Sequence, residues 1–129
     1  MKARRPDARV RIAFALAMDV FLVLVFAAIG RASHGGGVIE GLLMTAWPFL
    51  AGLALGWLLT LAWRAPVAPV RTGLGVWVVT VLGGMLLRAA TGQGTAAAFV
   101  IVAAITLLVL LVGWRVVATL IARRRRSAA

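Results

Sequence analysis

The sequence predicts an all-α integral membrane protein of four transmembrane helices with both termini cytoplasmic. Three observations predict it. Of 129 residues, 64% are hydrophobic and only 13% charged, with a mean hydropathy of +1.07, whereas soluble domains carry about 45 to 50% apolar and about 25% charged residues. The apolar residues gather into four stretches of the length that crosses a hydrocarbon core of ~30 Å, and stretches rich in Gly, Pro or Arg separate them. The cations are also unevenly shared between the two ends of these stretches. Lys2, Arg4, Arg5, Arg9, Arg11, Arg64, Arg71, Arg115 and Arg123 to Arg126 fall on one side, against Arg31 and Arg88 on the other. A bias of twelve to two places the rich side in the cytoplasm.

Taken in order, residues 1–11 are a basic tail that contains Pro6 and is expected to touch anionic lipid headgroups. A secretory signal peptide is the rival reading; the apolar run that follows is too long for one and carries an acid. The first span covers residues 12–30. At ~1.5 Å per residue it puts Asp19 close to the middle of the bilayer, where an acid costs roughly 3 kcal/mol and is tolerated when it faces the bundle interior and has a partner. Gly35, Gly36 and Gly37 let the chain reverse. The second span, 41–63, contains Pro48, which removes one backbone N–H and bends the helix, and it is closed by Trp63, Arg64, Pro66 and Pro69. The third, 72–88, is short for a full crossing, so Arg88 is expected at the membrane edge. After the turn Thr91 to Thr95, the fourth span covers 96–114 without a charge and extends to residue 122, with Arg115 at headgroup depth. Residues 123–129 form a second basic tail. One membrane domain, 12–122, accounts for the chain.

Few residues on these spans can carry chemistry. Asp19 is the candidate intramembrane proton or ion site; a buried structural polar network is the equal alternative. Arg31, His34, Glu40, Arg88 and Gln93 form a candidate polar cluster at the outer end. Within it Arg88 is expected to pair with Glu40, at the same depth, in preference to Asp19, which lies about 10 Å lower by helical rise. His34 titrates near neutrality, and a proton path through it to Asp19 competes with the plainer reading of a loop histidine. Thr80, Gly84 and Arg88 recur at i+4 and should face the bundle interior. Gly52 and Gly56 make a GxxxG step, read as close packing inside the bundle, with a dimer seam as the alternative. Trp63 and Trp114 are expected to anchor at the interface. Trp47, Trp57 and Trp77 lie deeper and should pack with their N–H groups on local acceptors.

The composition also narrows the function classes. There is no cysteine, one histidine and three acids, so no thiolate chemistry, metal site or cofactor is expected. The net charge of +11 suggests nucleic acid, but the basic runs flank apolar spans and lack interleaved aromatics, so the partner expected is the bilayer, with its anionic headgroups. No carboxylate pair or nucleophile motif supports an enzyme.

Gly30-Arg31-Ala32-Ser33-His34, Thr45-Ala46-Trp47-Pro48-Phe49, Arg88 with Gly92-Gln93-Gly94-Thr95, and Gly113-Trp114-Arg115 resemble an uncharacterised family of small four-helix prokaryotic membrane proteins, classed as a domain of unknown function. The resemblance runs from about Met18 to Arg115 and implies architecture and membrane location only. Two functions then compete. One is a small proton-linked transporter or channel-like protein using Asp19, as a homodimer, in the manner of small multidrug transporters, which also have four spans and an acid in the first. Here the acid is Asp, and the basic tails and Arg88 depart from that pattern. The other is a non-enzymatic membrane adaptor or accessory subunit that binds partner helices.

Overall fold

In this computed structural model, residues 7–33 and 38–128 are described, the side chains of Ser33, Val38 and Glu40 excepted. Among them no strand occurs. Helix α1 covers Ala8–Ser33 and α2 covers Val38–Thr60. A short 3-10 turn at Ala62–Arg64 leads to the third span, which opens with a π-helical stretch at Pro69–Leu74 and continues as α3, Gly75–Ala90. The fourth is one long helix in three parts: α4 at Ala97–Leu107, a π-helical stretch at Leu108–Val112, and α5 at Gly113–Ser127. Four segments, Ala8–Ala32, Gly41–Thr60, Pro69–Ala90 and Ala97–Ser127, are long and apolar enough to cross a membrane.

These bounds differ from the predicted spans in ways that local chemistry explains. Proline at N1 gives up an N–H that has no partner in a first turn, so Pro69 opens the third span three residues before the predicted start. The second span ends at Thr60, before Trp63, because Leu61 turns into the left-handed region at φ 52°. No helix breaker follows Arg115, so the fourth span continues to Ser127 and takes in most of the predicted basic tail.

Each helix runs antiparallel to the one before it. Asp19 on α1 meets Trp57 on α2, Gly52 and Gly56 on α2 meet Thr80 and Val76 on α3, and Trp77 on α3 reaches Ala104 on α4. Consequently the start of α1 and the end of α5 share one end of the bundle. The α2–α3 pair is the closest: a Cβ on Gly52 would lie 2.8 Å from the Thr80 carbonyl oxygen, and one on Gly56 3.3 Å from Val76. Backbones approach this closely only where the side chain is a hydrogen atom, and in lipid such packing holds helices together. The GxxxG step is thus taken up inside the bundle.

The core follows i+4 stripes. Ala15, Asp19, Val23 and Ala27 are buried on α1, and Ala103, Leu107, Leu111 and Arg115 along the fourth span. Towards the Arg88 end, Phe26 meets Phe49 edge-to-face at 5.1 Å, with Phe99 at 6.4 Å from Phe26 and 6.2 Å from Phe49. Of the eight members of these two stripes two are charged, Asp19 and Arg115, and they sit on facing helices.

A buried carboxylate with four donors

Asp19 is fully buried, and its partner is Arg115, also fully buried. The guanidinium grips the carboxylate with both terminal nitrogens: Nη1 donates to Oδ1 at 2.8 Å and Nη2 to Oδ2 at 2.6 Å. Two indoles complete the shell. Trp114 Nε1 donates to Oδ1 at 2.8 Å, and Trp57 Nε1 donates to Oδ2 at 2.9 Å. An ionised carboxylate offers about four lone-pair directions, and here each oxygen accepts two hydrogen bonds. The acceptor capacity is filled.

The arginine is equally engaged. Its Nε donates to the Pro66 carbonyl at 2.9 Å, and Nη1 also donates to the Leu111 carbonyl one turn back, at 2.8 Å. Its Cζ lies 4.8 Å from the centre of the Trp114 ring. Burying two ions costs several kcal/mol each, and a pair recovers this only with good geometry and further hydrogen bonds on both partners. Both conditions are met. The site ties α1 to α2 through Trp57, to the fourth span through Trp114 and Arg115, and to the loop after α2 through Pro66.

Several helical irregularities converge on the arginine. Both π-helical stretches pack here, and a Cβ on Gly73 would lie 3.2 Å from Arg115 Cδ. In a straight α-helix Arg115, twelve residues beyond Ala103, would point about 120° away from it. The π turn advances fewer degrees per residue and returns Arg115 to the buried stripe.

Of the two acids considered for Arg88, Asp19 is excluded as its partner, and the pairing with Glu40 involves a side chain outside the described residues. Arg88 does not reach Asp19: its Nε donates to the Gly94 carbonyl at 2.9 Å, its Nη1 donates to Gln93 Oε1 at 3.0 Å, and its Cζ lies 4.3 Å from the centre of the Phe99 ring. The following turn, with Gly92 at φ 74°, folds back under the arginine and supplies acceptors that a helical reading of depth alone does not reveal. Arg31 lies over Gly41, its guanidinium filling the space a Cβ would occupy. His34 and the Glu40 side chain lie outside the described residues. Of the predicted outer cluster, the structure brings Arg88 and Gln93 together.

Arg115, expected at headgroup depth, and Trp114, expected as an interfacial anchor, instead turn their side chains inward and close on Asp19. Counted along the helices from their shared end, Asp19 lies about 17 Å from Ala8 and Arg115 about 18 Å from Ser127, so the pair is matched in depth. That match was the signal available to find it. Trp77 donates to the Ala104 carbonyl at 2.8 Å, a local acceptor of the expected kind. The Thr80 hydroxyl is buried and has no hydrogen-bond partner among the described residues. Nor do any three His, Cys, Asp or Glu gather there to hold a metal ion.

Four helices of membrane length, closed on an internal ion pair, are the build of a small multi-pass α-helical membrane protein. Residues 16–118 match the family model described as "Protein of unknown function (DUF3054)", and the chain belongs to that family. The match takes in Asp19, Trp57, Trp114 and Arg115 together. No curated protein and no solved structure matches the chain.

Proposed function

We propose that this protein is a non-enzymatic membrane adaptor or accessory subunit of the plasma membrane, with both termini cytoplasmic, acting through its outer helical surface on a partner helix. The observation that supports this most is the poor covering of the fourth span. Only 17% of its most apolar window is buried, against 39% for the second span, and Ile101, Val102, Ile105 and Val109 are each more than half exposed along it. In lipid an apolar face is not by itself a demand for a partner, but a helix held near its middle by the Asp19–Arg115 pair offers a preorganised surface for one. The orientation rests on the excess of Lys and Arg at the shared end of α1 and α5.

The competing reading, a proton-linked transporter or channel-like protein using Asp19, is weakened by the same geometry. A carboxylate that exchanges protons needs a free lone pair and a route to water, whereas both oxygens here are taken up by Arg115, Trp57 and Trp114.

Photocrosslinkers placed at Ile105 and at Leu82, an exposed residue of α3, test the adaptor. A single protein adduct of defined mass from Ile105 and none from Leu82 is the expected result, and the mass shows whether the partner is a second copy or another membrane protein. Lipid adducts alone at both positions would refute it. Proton-coupled flux in liposomes that wild type supports and Asp19→Asn abolishes would restore the transporter.

A further inference from the structure

At the end of the bundle that carries both basic tails, a polar cavity of about 90 Å³ opens between the start of α1 and the loop after α2. It is lined by Ala8, Arg11, Ile12, Trp63, Arg64 and Pro66. The two arginines come from elements 53 residues apart in sequence and converge on it, yet neither guanidinium has a hydrogen-bond or ion-pair partner among the described residues. Neutralising groups are scarce nearby. The chain has three acids; Asp19 is saturated by its own donors, Glu40 belongs to the opposite end of the bundle, and Asp7 does not line the cavity. Residues 1–6 contain no acid.

We infer that this cavity binds a single phosphate group, with Arg11 and Arg64 as its two cationic contacts. Guanidinium forks match phosphate oxygens in geometry as well as charge. The cavity lies where a membrane span ends, between Ile12, which packs against the apolar core, and the Trp63 indole, 40% exposed, which is the amphipathic setting of an anionic phospholipid headgroup; a free phosphate would use the same contacts. Its lining residue Pro66 is the one whose carbonyl receives Arg115 Nε, so an occupant clasps α1 to the loop that holds the buried ion pair. The site goes beyond the adaptor reading and stands whether or not a partner helix exists.

The test uses the delipidated full-length protein in non-ionic detergent, titrated separately with phosphatidylglycerol, phosphatidylcholine and inorganic phosphate. Native mass spectrometry reads bound lipid, and the thermal midpoint reads phosphate. Wild type should prefer phosphatidylglycerol, and Arg11→Gln with Arg64→Gln should lower that affinity about thirtyfold, from about fivefold per surface arginine. The control Arg123→Gln with Arg124→Gln, on the exposed end of α5, should retain the preference. A midpoint raised by inorganic phosphate, lost in the Arg11/Arg64 variant and accompanied by displacement of phosphatidylglycerol, would assign the site to phosphate from solution as well. If the double variant does not fold, Arg11→Gln alone is read by the same criterion, with about a fivefold loss expected. An unchanged lipid preference in the Arg11/Arg64 variant, or an equal loss in the Arg123/Arg124 control, would overturn the proposal.

Discussion

Asp19 and Arg115 are worth most to this fold as a pair. Either one alone would be a buried charge with its compensation removed, so Asp19→Asn and Arg115→Gln should each lower stability by about 3–5 kcal/mol. Replacing both with apolar residues of similar volume, Asp19→Leu with Arg115→Met, should cost less than either single change, because no ion is then stranded. Thermal unfolding in detergent measures all three, and a double variant as damaged as the two singles summed would show that the residues act independently. Trp57→Phe and Trp114→Phe each remove one of four donors from the carboxylate and should cost about 1–3 kcal/mol. The Thr80 hydroxyl gives the opposite sign: buried without a partner among the described residues, it should be replaced by Thr80→Val with no loss, or with a gain of about 1 kcal/mol.

The four helices differ in what holds them. The α2–α3 hairpin depends on two glycines of unequal tightness, and this sets an order for their substitution. Gly52→Ala drives a methyl to 2.8 Å from the Thr80 carbonyl oxygen and should cost about 1–3 kcal/mol, whereas Gly56→Ala, at 3.3 Å from Val76, should cost less. Gly113 opens α5 directly after a π-helical stretch and has no atom within 4 Å of a Cβ, so Gly113→Ala should be tolerated and gain up to about 1 kcal/mol from helix propensity. If Gly52→Ala proved as mild as Gly113→Ala in the same unfolding assay, close backbone approach would not be what joins α2 to α3. Spacing in the sequence already marked Gly52 and Gly56 as a packing step. It did not show which helix they face.

At the scale of the whole molecule the antiparallel order places the start of α1 and the end of α5 together. The helix Ala97–Ser127, at 31 residues, is about 46 Å long and exceeds a ~30 Å hydrocarbon core by about 16 Å, enough for its basic end, Arg123 to Arg126, to stand clear of a bilayer that the apolar part crosses. Reporter fusions at Ala129 and at residue 35 should report opposite sides, with the C-terminus cytoplasmic. The same side for both would contradict three crossings between them.

Composition and hydropathy determined the class, four apolar helices and their approximate limits, since the length needed to cross lipid and the cost of exposing apolar groups act on each segment alone. They also determined that Asp19 must be covered. The partner was decided by tertiary structure. Arg115 lies 96 residues away, on a helix whose length and π-helical turn together set its depth and its face, and neither quantity is a property of the arginine or its immediate neighbours. Arg88, which residue spacing offered to Asp19 only as the second choice after Glu40, is met by its own succeeding turn, because acceptors one loop away are reached at less entropic cost than an acid across the bundle.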